Sequence, residues 1–314
     1  MKIKSSAPCR ISLMGGGTDI YPYAKAHGGM CLSMAINIRQ EIVLDTASSI
    51  KGLKYPDGAN ADFYKAFFNQ FDLWPVKMNA IFDGEITGGI GSSAAAAVAL
   101  VGAIAKAQNI KYDLDEIAQI AWNIEVNKLD LFGGKQDQWA AAHGGVNLFK
   151  FGGKFNGGVE TIPLSFSFIE PVLPYLMLFH TGKNRKNSKI QEGFKELTED
   201  KIQYLDALKG LVPEAIKAIH KGDIDMFAKL FNLSWEYKKM SNDGVSNEAI
   251  ELLVSKAKKS GAMALRLTGA GGGGYAIMVV PMEIQNRFKK EMENIGMKWV
   301  DFSIDFQGLS VRQI

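Results

Sequence analysis

Cysteine and histidine are scarce in this chain, which has two cysteines and four histidines among 314 residues. Two thiols, Cys9 and Cys31, cannot build a disulfide framework. No cysteine or histidine pair has the spacing of a metal site. The sequence therefore predicts neither a disulfide-stabilised domain nor a metal held by cysteine and histidine, and we assign the histidines no catalytic role.

Charge of one sign and long apolar runs are also missing. The formal net charge is only +3, which provides no strong field for nucleic acid or a membrane surface. No run of about 18 apolar residues is present, so a membrane span is excluded. Residues 1–4 begin the chain without an apolar signal segment. These absences predict a cytoplasmic protein that binds neither nucleic acid nor membrane.

The composition is that of an ordinary globular enzyme, with 47% apolar and 22% charged residues. A chain of this length can form two domains with a cleft between them. Pro163, Pro171 and Pro174 place the boundary near residues 165–172. Strands mixed with helices at irregular spacing, with few βαβ repeats, predict an α+β fold.

Hydrophobic periodicity predicts the individual elements. We expect strands at 30–45, 146–151, 175–180, 262–268, 275–280 and 297–304. We expect helices at 61–70, 92–108, 114–128, 187–208, 213–220, 223–238, 247–260 and 282–294. Asp113 is the expected N-cap of the 114–128 helix.

The most informative segment is a glycine-rich turn at residues 88–93 that leads into an alanine-rich helix. Its glycines let the backbone approach an anion closely, and the amides at the start of the helix face that anion. Ser92 and Ser93 add hydroxyl donors, and either one suits a Mg²⁺ carried by a nucleotide. An ordinary capped helix is the alternative. The turn lacks the lysine of a Walker loop and the glycine spacing of a dinucleotide fingerprint.

Two further segments are rich in glycine. Residues 7–19 combine Arg10 with a triple-glycine turn and the pair Thr18-Asp19, in which the carboxylate suits a sugar diol. A strand and turn with a surface arginine is the alternative. Residues 266–275 place five glycines between two expected strands. This loop can press against a ligand or against the first glycine turn, and a flexible hairpin is the remaining alternative.

An acidic pair completes the candidate chemistry. Glu125 falls late on the 114–128 helix, and Asp137 follows a Gly-Gly turn. In a phosphotransferase one carboxylate binds Mg²⁺ and another receives the proton of the acceptor hydroxyl. A solvated helix face for Glu125 and a helix N-cap for Asp137 are the alternatives.

Together these segments resemble the three motifs of the GHMP kinase superfamily, which includes galactokinase, homoserine kinase, mevalonate kinase and phosphomevalonate kinase. The matching stretches are APCRISLMGGGTD, GGIGSSAAAA and LTGAGGGGYAI, in the family's order and spacing across nearly the whole chain. The chain departs from the family where residues 85–87 lack the usual proline and where Ile90 replaces leucine.

The resemblance implies a two-domain α+β fold. An N-terminal domain of the ribosomal-S5-domain-2-like type, residues 1–168, would bind ATP and carry the catalytic residues. A ferredoxin-like C-terminal domain, residues 169–314, would close the cleft, with residues 269–274 at the interface.

The resemblance also implies roles for individual residues. Asp137 would be the catalytic base and Arg10 its charge-stabilising neighbour. Ser92 or Ser93, with Glu125, would hold Mg²⁺. The ATP phosphates would be bound by Gly88, Gly89, Ile90, Gly91, Ser92, Ser93 and Ala94. The sugar substrate would be bound by Gly16, Gly17, Thr18, Asp19, Gly134, Arg185, Gly271 and Gly272.

Within the superfamily, the triple glycine before Thr18 and the run GKQDQWAAAHGGVNLF are most similar to the D-glycero-D-manno-heptose 7-phosphate kinases. The resemblance therefore implies a monomeric or homodimeric sugar kinase that uses MgATP to phosphorylate the anomeric hydroxyl of that sugar phosphate. Two alternatives stay open. One is a kinase of an unphosphorylated sugar of the fucose, galactose or uronic acid type, and the other is a non-catalytic sugar sensor of the same superfamily.

Overall fold

The computed structural model of this chain describes residues 1–47, 52–54, 60–73, 77–84, 88–152, 158–182 and 196–314. The strands are β1 (Lys2–Met14), β2 (Gly29–Asp45), β3 (Gly52–Lys54), β4 (Lys77–Phe82), β5 (Val146–Phe151), β6 (Val159–Leu164), β7 (Leu176–His180), β8 (Ala264–Leu267), β9 (Tyr275–Val279), β10 (Lys298–Val300) and β11 (Ser310–Gln313). The helices are α1 (Tyr21–His27), α2 (Ala61–Gln70), α3 (Ser92–Ala107), α4 (Leu114–Asn123), α5 (Gln136–His143), α6 (Phe166–Ile169), α7 (Glu199–His220), α8 (Ile224–Ser241), α9 (Glu248–Lys259) and α10 (Gln285–Asn294). None of these helices is both long and apolar enough to cross a membrane.

The first sheet is built around the long strands β1 and β2. Its strand order is β11-β1-β2-β4-β3, while β5 pairs with the first part of β2 and β6 pairs with β5. Helix α3 packs across β1 and β2, and its alanines let the helix backbone approach the strands closely. This packing brings the start of α3 beside Arg10 of β1, which is the geometry that the candidate site needs.

The second sheet is antiparallel, with the strand order β10-β7-β9-β8. Helix α8 packs on β8, and α7 packs on α8. The glycine-rich turn 269–274 joins β8 to β9 at the same end of the sheet as His180. Two sheets combined with helices in an irregular order confirm the predicted α+β fold class.

Helix α7 differs from its prediction. The sequence indicates two helices, 187–208 and 213–220, but residues 199–220 form one helix that continues through Pro213. Residues 183–195 lie outside the described part of the chain. A proline inside a helix loses one backbone hydrogen bond, so packing must compensate. Val212 packs against Gly15 and Leu205 against Gly17, which gives α7 this support on the triple-glycine turn, residues 15–17.

Two other elements end earlier than expected. The 114–128 helix is α-helical only to Asn123 and then forms a π-helical turn, Ile124–Lys128, which places Glu125 in the interior. The expected strand 297–304 ends at Val300. Beyond it, Ser303 exchanges hydrogen bonds with Asn37 of β2, because the chain is crossing back to the first sheet.

The C-terminal strand crosses the expected domain boundary. Strand β11 pairs antiparallel with β1, so residues 310–313 belong to the first sheet and not to the second. The expected domain boundary at residue 168 is therefore corrected for this last strand. Its backbone N–H and C=O groups pair with the edge of β1. The remainder of the division stays a proposal.

Arg39 anchors the returning segment. Its guanidinium pairs with the carboxylate of Asp305, donates to the carbonyl oxygens of Ser6 (2.9 Å) and Gly308 (2.7 Å), and donates to the Ser6 hydroxyl. Removing one partner of a buried pair leaves an uncompensated charge and costs about 3–5 kcal/mol. We therefore expect Arg39→Ala to lower the free energy of unfolding by about that amount in urea denaturation.

Lys4→Ala is the matched control for this prediction. Lys4 pairs with Glu41 in the same sheet, but both side chains are about a quarter to a third exposed. Such a pair contributes less than about 1 kcal/mol. Equal losses in the two variants would show that the Arg39 network does not hold the C-terminal segment.

Candidate active site

The centre of the candidate site is an ion pair between β1 and α5. Arg10 donates from Nε to Asp137 Oδ1 (2.7 Å) and from Nη2 to Oδ2 (2.5 Å). The arginine side chain is buried, whereas the aspartate side chain keeps 30% of its surface exposed. The bidentate geometry fixes the carboxylate in the first turn of α5 and leaves it open to a substrate.

Arg10 also contacts the glycine-serine turn. Its Nη1 donates to the carbonyl oxygen of Gly89 (2.8 Å), and its backbone N–H donates to that of Ile90 (2.8 Å). Gly91 is the N-cap of α3 in a left-handed conformation, φ 73°, and its Cα faces the Arg10 side chain. One arginine therefore joins the turn before α3 to the Asp137 carboxylate.

The start of α3 lies next to Glu125. The Ser93 hydroxyl donates to Glu125 Oε1, and the Gln138 side-chain amide donates to Oε2 (2.7 Å). Burial raises the pKa of Glu125 to about 7, although these two hydrogen bonds oppose the shift. Ser92 is buried at the first residue of the helix. Of the two serines, Ser93 is therefore the one whose hydroxyl contacts Glu125.

The carboxylate of Asp19 is closely surrounded by backbone atoms. It accepts from the N–H groups of Gly17 (3.1 Å) and Gln136 (3.1 Å). Gly134 lies against it so closely that a Cβ there would meet Asp19 Oδ2 at 1.8 Å. Burial, and then the negative charge of Asp137, raise the pKa of Asp19 above its usual value. Because Gln136 immediately precedes Asp137, its bond to Asp19 brings the two aspartates into one site.

Thr18 forms hydrogen bonds with backbone atoms of the triple-glycine turn and of β2. Its hydroxyl is fully buried, lies within hydrogen-bond distance of the carbonyl oxygens of Gly15 and Met30 (both 2.9 Å), and accepts from the Met30 N–H. These bonds tie the triple-glycine turn to the start of β2. The hydroxyl therefore has a structural role in this turn, and the assignment of Thr18 to the substrate stays a prediction.

The other residues expected near the nucleotide and the sugar have buried side chains or are glycines that can offer only backbone groups. Ile90 and Ala94 are buried side chains, so only their backbone can face a ligand. Gly16 packs on Ser12, since a Cβ there would lie 2.6 Å from the Ser12 hydroxyl. Gly17 uses its amide to bind Asp19.

The turn at residues 269–274 contacts the glycine-serine turn at residues 88–93. A Cβ at Gly269 would lie 2.8 Å from the Cα of Gly89, and one at Gly274 would lie 3.0 Å from the carbonyl oxygen of Gly88. The contact between the two turns is present, and contact of this loop with a ligand stays a prediction. Gly271 packs on Val245, and the N–H of Gly272 donates to the Val245 carbonyl (2.8 Å). The sugar contact expected of these two glycines stays a prediction.

Arg185, the residue expected to bind a substrate phosphate, lies outside the described residues, as do residues 85–87. Gln138 is a site residue that the sequence analysis did not identify. It lies next to Asp137 in the chain, but nothing in the sequence indicates that its side chain crosses to Glu125, thirteen residues earlier.

The arrangement suits Mg²⁺ only in company with a nucleotide. Within the described ranges, no three His, Cys, Asp or Glu side chains are placed to hold a metal ion by themselves. Glu125 and Ser93 offer one carboxylate and one hydroxyl at the start of α3. Mg²⁺ is commonly held by one or two carboxylates together with substrate phosphates and water, so these donors fit.

Two family models match the chain. The model described as GHMP kinases N terminal domain matches residues 61–145, and the model described as GHMP kinases C terminal matches residues 215–294. Together they span more than half of the chain. The first contains Ser93, Glu125 and Asp137, and the second contains the turn at 269–274.

Proteins of similar sequence are kinases. A D-glycero-alpha-D-manno-heptose 7-phosphate kinase of Campylobacter jejuni is 27% identical over an alignment of 333 residues that covers 98% of each chain. A mevalonate kinase of Saccharolobus solfataricus is 24% identical and is matched over 91% of this chain and 92% of its own. The crystal structure of a D-glycero-D-manno-heptose 1-phosphate kinase from Bacteroides thetaiotaomicron has a TM-score of 0.78, with 23% identity and 99% of each chain covered. At that identity the structural match shows a common fold.

Proposed function

The chain belongs to the GHMP kinase family, and from this we propose that it transfers the γ-phosphoryl group of MgATP to the anomeric hydroxyl of D-glycero-D-manno-heptose 7-phosphate. Members of the family are phosphotransferases that use ATP and act on hydroxyl groups, and sugar kinase activity follows for this chain. The single observation that supports the proposed chemistry is the position of Asp137. Its carboxylate is fixed by Arg10, which also holds the glycine-serine turn.

In the proposed mechanism Asp137 accepts the proton of the attacking sugar hydroxyl. The oxygen then attacks the γ-phosphorus, the bond from that phosphorus to the bridging oxygen breaks, and ADP leaves. Arg10 keeps the carboxylate oriented and offsets negative charge beside the transferring group. Asp19, which follows the triple-glycine turn and Thr18, accepts hydrogen bonds from sugar hydroxyls.

The phosphates of ATP would be bound by the backbone of residues 88–94 at the start of α3. The first amides of that helix have no carbonyl partner within it, and the helix dipole adds to their attraction for an anion. Ser93 and Glu125 would hold Mg²⁺, which supplies positive charge to the phosphates when it is bound. Ser92 is the less suitable hydroxyl because it is buried.

The substrate proposal rests on sequence similarity as well as on charge. The relative from Campylobacter jejuni that matches nearly the whole chain is named for a heptose 7-phosphate. We propose that Arg185 binds the phosphate already present on the sugar, because a guanidinium can bind a phosphate through two hydrogen bonds. A neutral sugar would gain little from this residue.

An acceptor competition tests the proposed function. Purified protein with MgATP would be offered heptose 7-phosphate, unphosphorylated heptose, galactose, fucose and mevalonate, and the products identified by mass and phosphorus NMR. Heptose 7-phosphate should give the highest kcat/KM and an anomeric phosphate. Preference for a neutral sugar would overturn the substrate assignment alone. ATP binding without turnover of any acceptor would indicate a sugar sensor.

Arg185→Ala should raise the KM for heptose 7-phosphate by about 10- to 100-fold, the range for losing a hydrogen bond to a charged group. The KM for ATP should stay nearly unchanged. Unphosphorylated heptose is the matched control substrate, and its KM should not respond to the substitution. A similar rise for both sugars would place Arg185 away from the substrate phosphate.

A further inference from the structure

Lys238 is a buried lysine outside the three glycine motifs. It lies in the last turn of α8 with only 4% of its surface exposed, and its ammonium donates a hydrogen bond to the carbonyl oxygen of Gly269. Taking an ammonium out of water is costly unless it is paired or hydrogen-bonded. The bond to Gly269 therefore directs the Lys238 charge at the beginning of the 269–274 turn.

Gly269, which Lys238 holds, packs directly on the glycine-serine turn at residues 88–93. Its Cα lies against the peptide of Gly89 with no side chain between them, since a Cβ on Gly269 would come within 2.8 Å of the Gly89 carbonyl oxygen. Gly89 in turn faces Thr268, whose hydroxyl would lie 3.1 Å from a Cβ at that position. Closely packed groups of this kind transmit displacements, because the interior has little free space.

The contact continues to the catalytic pair. The carbonyl of Gly89 accepts from Arg10 Nη1, and Arg10 holds both oxygens of Asp137. A continuous path thus leads from α8, through two glycine turns, to the proposed base. All of its links are hydrogen bonds or backbone contacts between described residues.

We propose that Lys238 is a positioning residue that holds the 269–274 turn against residues 88–91, in the conformation that binds the ATP phosphates. The inference rests on the proposed function, because it takes residues 88–94 as the phosphate site. Lys238 itself need not touch the nucleotide. It acts by restraining Gly269, and through it Gly89.

Calorimetric titration of Lys238→Met with ATP tests this inference. Without the ammonium, the Gly269 carbonyl loses a charge-assisted hydrogen bond and the two turns can separate. We expect the Kd for ATP to rise by about 10- to 100-fold, the range for a hydrogen bond to a charged group. The KM for ATP should rise in parallel, while the KM for the sugar should change little. Lys238→Arg, which keeps the charge and the donor, should recover much of the affinity.

Lys239→Met is the matched control. Lys239 is the next residue, but it pairs with Glu236 (3.0 Å) and Glu251 (3.4 Å) away from the glycine turns. This variant loses the same charge and should bind ATP as the wild type does. Melting temperatures of all variants would establish that the titrated protein is folded.

The outcomes separate the inference from the proposed function. A folded Lys238→Met variant with wild-type affinity for ATP would overturn the role of Lys238 alone. Equal weakening in Lys238→Met and Lys239→Met would also overturn it, because the effect would then be one of net charge. Wild-type protein that binds ATP but phosphorylates no sugar would contradict the proposed function and leave the binding comparison intact. Wild-type protein that binds no ATP would contradict both.

Discussion

Replacing Asp137 with asparagine should lower kcat by about 10²- to 10⁴-fold, the usual contribution of a general base. Asparagine keeps the size of the side chain and one oxygen that accepts from Arg10, but it cannot take the proton of the sugar hydroxyl. The affinity for ATP should be nearly unchanged, because the glycine-serine turn keeps its own bond to Arg10. Steady-state kinetics and calorimetry measure the two quantities.

Asparagine is a better substitution here than alanine. The Arg10 side chain is buried, and Asp137 supplies two of its hydrogen bonds. Alanine would leave that guanidinium without its carboxylate, so lost activity could follow from lost structure. Asparagine reduces this effect and so separates the base from a residue that only begins helix α5.

Asp115→Asn is the matched control for the base. Asp115 lies in α4 and bonds to His143, the last residue of α5, at 2.8 Å. Its replacement by asparagine removes the same charge as the Asp137 variant does. The Asp115→Asn variant should keep the wild-type kcat. The N-cap of α5 is Lys135, so the helix-cap alternative does not apply to Asp137. If Asp137→Asn is folded and fully active, the carboxylate serves only to hold Arg10 and the proposed base would be wrong.

The sequence predicted those parts of the fold that depend on local signals. Phe63, Phe67 and Phe68 recur at helical spacing, and they form the buried face of α2. Asp113 caps α4 as expected, because the capping box with Glu116 is a short-range pattern. The glycine-serine turn and α3 likewise follow from consecutive residues.

Contacts between distant segments could not be predicted in this way. Strand β11 pairs with β1 more than three hundred residues earlier, and only packing of the whole chain selects that edge. Pro213 indicates a helix end, but packing on the triple-glycine turn, residues 15–17, keeps α7 continuous. Thr18 is expected at the sugar from its motif alone, and the motif does not indicate that its hydroxyl contacts backbone atoms of residues 15 and 30.

The candidate site shows the same division. Motif resemblance indicated Arg10 and Asp137 as partners, and the structure brings their side chains together. Gln138 and Lys238 carry no motif of their own, because each acts through a contact that depends on the tertiary fold. Their positions became visible only with the geometry.

Glu125→Gln should lower kcat at physiological Mg²⁺ by about 10²- to 10³-fold, the loss expected when one preorganised charged group is removed. The amide cannot supply the negative charge that the proposed Mg²⁺ site needs. Its packing can be preserved, because the buried Gln138 Oε1 has no hydrogen-bond partner among the described residues and can accept from the new amide after a flip. Activity measured against Mg²⁺ concentration at fixed ATP should show a higher half-saturating concentration.

The pH dependence gives a second measure of the same residue. Burial raises the pKa of Glu125 to about 7, so its carboxyl becomes protonated below that pH. Protons then compete with Mg²⁺, and the half-saturating Mg²⁺ concentration of the wild type should rise by up to about 10-fold per pH unit below 7. Glu125→Gln has no proton to exchange, so its Mg²⁺ requirement should be flat over this range.

Stability should respond in the direction set by the raised pKa. The folded protein binds the Glu125 proton more tightly than the unfolded chain does, so this contribution is full below pH 4.5 and is lost as pH rises through about 7. Glu125→Gln should therefore gain stability relative to the wild type between pH 5 and 8. Glu116→Gln, on the preceding helix, keeps its capping acceptor and is the matched control for both measurements. A Mg²⁺ requirement that is independent of pH in the wild type would remove Glu125 from the proposed metal site.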